Sequence, residues 1–171
     1  GKALGNGYAI TAVLGKKSVM DYAQNTFISS TFWTERIGPT AALKTIDIME
    51  KDKTWIQVKN IGKKIKKNWK ILSNQIGIKI DITGIPSLTS FVFKDGKTKL
   101  YKTLITQEML KSNILASNTV YSSISHTDTI IKKYTNKLED IFKIIKKCQD
   151  GHDINKFIKS KIPQDGFKRL N

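Results

Sequence analysis

Few residues in this 171-residue chain are of types that carry chemistry alone. It has one cysteine, Cys148, and two histidines, His126 and His152. No Walker-type loop, G-x-S-x-G elbow or H-E-x-x-H helix is present. The two histidines are too isolated to make a metal site. His126 precedes a predicted helix start, where a hydrogen-bonded structural role is the simpler reading. Cys148 ends a predicted helix beside Lys146 and Lys147, as a buried filler or a thiol near positive charge. What remains is the opening: Lys2, then Gly5, Gly7 and Gly15 around the apolar run of residues 9–14. Lys2 before such a turn is either a solvated side chain or an amine set against backbone that approaches a bound group closely.

The elements that would position these residues follow from periodicity. Residues 9–14 read as a short strand after a glycine-rich loop, and residues 18–22 as a helical turn. A helix is expected to begin near residues 34–36, with Thr34 as its N-cap. Glu35 suits its positive end, and Pro39 is tolerated only in the first turn. Ile37, Ala41, Ala42, Ile46, Ile48 and Met49 form its apolar face. After a break at residues 51–54, Trp55, Val58, Ile61, Ile65, Trp69, Leu72 and Ile76 recur at steps of three and four. They define a second helix with one apolar stripe. Ile78, Ile80 and Ile82 alternate as a half-buried strand should, and residues 90–94 read as another. Asp95 and Gly96 predict a hairpin turn into a strand over residues 98–101. A helix over residues 103–111, short strands at 114–116 and 119–123, and a long helix opened by Thr127 and Asp128 complete the order. The last helix points Ile131, Tyr134, Leu138, Ile141, Phe142 and Ile145 inward. The result is an α+β arrangement with a mainly antiparallel sheet.

Composition narrows the classes. Hydrophobic residues at 39% and charged residues at 26% exclude a collagen and a fully disordered chain. No apolar run reaches the ~20 residues of a membrane-spanning helix, so no membrane partner is expected. A single cysteine forbids an intrachain disulfide and favours a reducing, cytoplasmic setting. Thirty Lys+Arg against 14 Asp+Glu give a net charge of +16. A lysine-rich nucleic-acid-binding module is therefore one alternative. Against it, only Arg36 and Arg169 are arginines, the residue that makes bidentate phosphate and guanine contacts. A solvated lysine surface is the favoured account.

The opening resembles the cofactor-lysine region of class III pyridoxal-phosphate aminotransferases, of pattern G-K-x-x-G-G-G-x-P-x-G-A. Gly1, Lys2, Gly5, Gly7 and Ala12 match, while Asn6, Ala9 and Thr11 stand where the pattern has Gly, Pro and Gly. Ser30 and Thr31, followed by Ala41, Ala42, Thr45 and Ile46, resemble the family's G-T-L-S-G-N-P-x-x-x-A-A-x-x-T-L segment. Glu35 and Arg36 replace its Asn-Pro. Residues 106–115 resemble the helix-then-strand of the family's C-terminal domain, and residues 125–128 its last helix start. The nearest subgroup is the glutamate-1-semialdehyde aminomutase-like enzymes.

This resemblance, over about residues 1–148, implies an α/β fold of the pyridoxal-phosphate-dependent transferase type I. Residues 1–54 would be the end of the large cofactor-binding domain with its linking helix. Residues 55–148 would form the small α+β domain, and residues 149–171 a tail. It implies an aminotransferase or aminomutase using pyridoxal 5'-phosphate, with small-molecule amino donor and acceptor. Lys2 would join the cofactor as an imine and shuttle a proton, which requires a neutral amine. Thr31 would bind the cofactor phosphate near a helix N-terminus. In the family that threonine serves the neighbouring subunit, which implies a homodimer. The family's pyridine-pairing aspartate and own-subunit phosphate loop lie upstream of the lysine. The 171 residues are thus expected to be a fragment with little or no catalysis alone. A non-catalytic dimerisation remnant of the same fold is the remaining alternative.

Overall fold

A computed structural model of the chain describes residues 2–28 and 31–163. Gly1, Ser30 and Arg169, all named above, lie outside the described residues. The chain divides into two units, Gly1–Trp55 and Ile56–Asn171.

In the first unit, a tight turn over residues 3–7 leads into an extended stretch. Helix α1 (Lys17–Met20) and a 3-10 turn (Asp21–Asn25) follow, and helix α2 (Ile37–Asp52) ends the unit's own elements. Residues 9–14 are not a strand. A strand needs a hydrogen-bonding neighbour, and the described strands all pair elsewhere. Helix α2 starts at Ile37, later than expected. Thr34 does not cap it: Arg36 holds the N-cap position, and the side chain that reaches the first amides is that of Glu35. Lys53 breaks the chain in the left-handed region, at φ 49°, before helix α3 (Thr54–Ile76) begins. The apolar face expected on α2 is present but largely uncovered. Only Gly38 and Ala42 of this helix are buried, whereas Ile37, Leu43, Ile46, Ile48 and Met49 are exposed.

The second unit contains the core. Of the α3 stripe, Ile65, Trp69 and Leu72 are buried, Val58, Ile61 and Ile76 half-buried, and Trp55 exposed. Strands β1 (Ile80–Ile85), β2 (Leu88–Phe93) and β3 (Thr119–Tyr121) form one antiparallel sheet in that order. In it Ile82 faces Phe91, and Thr89 faces Val120. The hairpin turns at Pro86 and Ser87, not at Asp95 and Gly96. The latter pair leads into helix α4 (Thr98–Leu110), so no strand covers residues 98–101. Asp95 accepts from the Lys97 amide at 3.1 Å, an Asx turn that starts a helix as readily as a hairpin. Tyr101, Leu104, Ile105 and Met109 then bury a helical face.

Residues 114–116 stay outside the sheet. The β2–β3 ladder closes at Ser90 and Thr119, and the Asn118 side-chain amide takes the Phe91 carbonyl at 2.8 Å. Helix α5 (Asp128–Gln149) opens as expected, with Thr127 Oγ1 accepting from the Ile130 amide at 3.4 Å. Its inward residues, Ile131 to Ile145, are all buried. Trp69, Phe91, Phe93, Tyr101 and Phe142 interlock edge to face, with centroids 4.7 to 5.9 Å apart. Trp69 donates its indole N–H to the Tyr134 hydroxyl at 2.9 Å.

The lysines of α3 mostly face solvent, but two serve the fold. Lys66 donates to the Gly84 carbonyl at 2.8 Å, and Lys64 pairs with Asp128 at 2.6 Å. No helix among the described residues is long and apolar enough to cross a membrane.

Candidate active site

Lys2 is exposed and stands at the mouth of the turn that follows it. That turn is closed by two amide bonds, Asn6 to the Ala3 carbonyl at 3.2 Å and Tyr8 to the Gly5 carbonyl at 3.1 Å. A Cβ on buried Gly5 would lie 2.1 Å from the Tyr8 oxygen, so no other residue fits there. Gly7 sits at φ 110°, where an L side chain is strained, and Asn6 at φ 46°, which asparagine tolerates. The turn hands the chain to Ala9 and Ile10, which press on the start of α2. A Cβ on Gly38 would come within 2.7 Å of the Ala9 oxygen and 3.2 Å of the Ile10 Cβ. The lysine-bearing turn and the α2 N-terminus are therefore held as one piece of structure.

Thr31 lies exposed on the approach to that helix end. It lines an open pocket of about 480 Å³ together with Ile10, Thr11, Trp33, Glu35 and Pro39. Lys2 is not among the residues that line this pocket. Glu35 is the residue that the sequence undervalued. Its amide donates to the Phe32 carbonyl at 3.3 Å. Its carboxylate accepts from the Ile37 amide and, at 3.0 Å, from the Gly38 amide. The signal was a carboxylate two residues ahead of a helix, which marks affinity for the positive end but not which amides it takes. The contact at Gly38 had no marker beyond a glycine in a helical first turn.

The other titratable candidates have structural partners. The His126 Nδ1 accepts from the Ser123 amide at 3.1 Å, and the His152 Nδ1 lies 3.1 Å from the Lys147 carbonyl. Cys148 is buried, and burial pushes its thiol pKa up, away from the reactive thiolate. No group of three metal-ligating side chains gathers among the described residues.

Relatives put this geometry in context. The chain is 34% identical over 134 residues to the 3-aminobutyryl-CoA aminotransferase of Cloacimonas acidaminovorans, covering 75% of this chain and 32% of the relative. It is 22% identical over 160 residues to the glutamate-1-semialdehyde 2,1-aminomutase of Persephonella marina, covering 84% of this chain and 37% of the relative. A solved structure, the PLP internal aldimine form of the FumI protein of Sphingopyxis sp. MTA144, shares the fold. Its TM-score is 0.77 at 18% identity, over 91% of this chain and 38% of that one. The chain thus spans about a third of the length of the curated relatives it matches. No sequence model of a protein family matches it.

Proposed function

We propose that the chain is part of a class III pyridoxal-phosphate-dependent aminotransferase, similar to the C-terminal portion of that family, and that it carries the cofactor lysine of an aminotransferase or aminomutase. In this proposal Lys2 holds pyridoxal 5'-phosphate covalently, and the working enzyme is a longer protein, about three times this length, assembled as a homodimer. The observation that carries it is the turn after Lys2, where a Cβ on Gly5 would fill the backbone cradle that presents the lysine.

Lys2 and Thr31 suit the group by residue type. A primary amine is the nucleophile that condenses with an aldehyde, and a threonine hydroxyl is a donor for a phosphate oxygen. The cofactor, when bound, supplies the electron sink that lets a carbon beside nitrogen lose a proton. The chain's own residues do the rest. Lys2 would hold the group through Nζ, and the same nitrogen, when free, would take and return a proton. The Gly5–Gly7 turn brings backbone close without side chains in the way. Thr31 would donate its hydroxyl to a phosphate oxygen, and the family resemblance implies that this phosphate belongs to the neighbouring subunit's cofactor. A second subunit also accounts for the apolar surface of the first unit. Phe27 is 95% exposed and Leu14 90%, open hydrophobic surface that supports this reading.

The test is chemical. Borohydride reduction of the full-length protein with its cofactor, then peptide mass spectrometry, is expected to find the label on Lys2. Lys2→Ala is expected to abolish both the visible absorption band and turnover. A label on another lysine, or a Lys2→Ala protein that keeps its band and turnover, refutes the proposal.

A further inference from the structure

The first turn of α2 has its amides spoken for. Arg36 caps the helix without a side-chain bond. The Ile37 and Gly38 amides both donate to the Glu35 carboxylate. Pro39 has no amide hydrogen, and the next amide, Thr40, already donates to the Arg36 carbonyl at 3.0 Å. A free helix N-terminus attracts anions because these amides are unpaired and the peptide dipoles align. Here the chain fills that seat with its own carboxylate.

Glu35 and Thr31 line the same pocket. The sequence-based expectation that a phosphate at Thr31 also gains from the helix end therefore fails on geometry. An anion there meets a hydroxyl donor, no open helix amide, and a fixed negative charge. We propose that Glu35 is a specificity-determining residue that limits how tightly this pocket holds a phosphate-bearing ligand. This rests on the reading of Thr31 as the cofactor-phosphate contact. Thr31 then supplies the attraction, and Glu35 sets the ceiling on it.

The experiment compares two ligands that differ only in the phosphate. Dissociation constants of pyridoxal 5'-phosphate and of pyridoxal are measured by spectroscopic titration of the full-length apo-protein. Their ratio isolates the phosphate. Glu35→Gln removes the charge and keeps one acceptor, so the preference for the phosphorylated ligand is expected to rise roughly three- to tenfold. Glu35→Ala also frees the Ile37 and Gly38 amides, so its preference is expected to rise further, which a mere cap does not predict. Loss of a structural cap weakens both ligands alike and leaves the ratio unchanged. Thr31→Ala is expected to lower the ratio. An unchanged ratio in Thr31→Ala overturns the reading of Thr31 on which the inference rests. A lowered ratio there, with an unchanged or lowered ratio in both Glu35 variants, overturns the inference alone.

Discussion

Gly62 sets two energetic terms of opposite sign against each other. It is buried in the middle of α3, where alanine is intrinsically favoured over glycine by about 1 kcal/mol. On propensity alone, Gly62→Ala stabilises. The structure says otherwise. A Cβ there would stand 1.7 Å from the Pro86 oxygen and 2.4 Å from its carbonyl carbon. Ordinary contact requires an opening of roughly 1.5 Å, and the obstacle is backbone rather than the end of a flexible side chain. Pro86 lies in the β1–β2 turn, and the turn is tied down. Ser122 Oγ donates to the Pro86 carbonyl at 3.0 Å, and the Ser122 amide donates to the Ser87 carbonyl at 2.9 Å. Moving the turn strains or breaks these bonds. Overpacking of this kind costs about 3 kcal/mol and a lost hydrogen bond about 1. Less the propensity gain, the net destabilisation is about 3 kcal/mol. Urea denaturation followed by tryptophan fluorescence, to which Trp69, buried in the same unit, contributes, measures it. Asn60→Ala, at an exposed position of the same helix, controls for propensity. A Gly62→Ala protein as stable as the parent, or more so, refutes the claimed approach of the hairpin to α3.

Two further expectations concern titratable groups. Burial works to raise the Asp95 pKa, but the bonds from Gln149, the Lys97 amide and Tyr101 outweigh it and hold the carboxyl below its ordinary value. A lowered folded pKa means the stabilisation is present above the ordinary carboxylate range and is lost as pH falls through the folded value. Because Asp95 is exposed, screening keeps the effect below about 1 kcal/mol. Asp95→Asn is expected to be less stable than the parent at pH 7, by a margin that shrinks in urea melts as pH falls below the ordinary carboxylate range; a pH-independent difference contradicts this. For Cys148, burial first and the charge of Asp153 second push the thiol pKa up. Its reaction with a chromogenic disulfide is expected to be at least about a hundredfold slower in the native protein than in urea. Prompt native labelling would show the thiol to be accessible.

Local patterning was legible wherever one element carried its own period. The stripe from Trp55 to Ile76 gave α3, and Thr127 with Asp128 gave the start of α5. Trp55 departs from its stripe: it is exposed in the first unit, whereas Trp69 is buried in the second. The errors share a cause. Asp95 and Gly96 fit a hairpin or a helix lead equally well, and the deciding fact is the spacing of Tyr101, Leu104 and Ile105 downstream. Residues 9–14 have strand-like composition but no pairing partner, which is a property of neighbours and not of the segment. At the candidate site, Lys2 and Thr31 were legible as residue types. That Glu35 takes both available amides of α2 depends on a side-chain conformation that no pattern encodes.

The two units differ in what completes them, and that bears on where chemistry happens. The second unit closes its own core, with Trp69, Phe91, Leu104, Leu138 and Phe142 fully buried. It carries none of the residues proposed to touch the cofactor. The first unit carries both Lys2 and Thr31, yet Ala42 is its one buried hydrophobic side chain among the described residues. A site needs rigid walls and exclusion of water before an amine becomes a neutral nucleophile. Lys2 is exposed. On the proposed reading, the walls come from protein surface that also covers Val13, Leu14 and Phe27. Burial of that apolar face and desolvation of the Lys2 amine are then one event. Residues 1–171 alone are for that reason expected to bind the cofactor weakly and to turn over no substrate, whereas assembly with the covering surface restores both together.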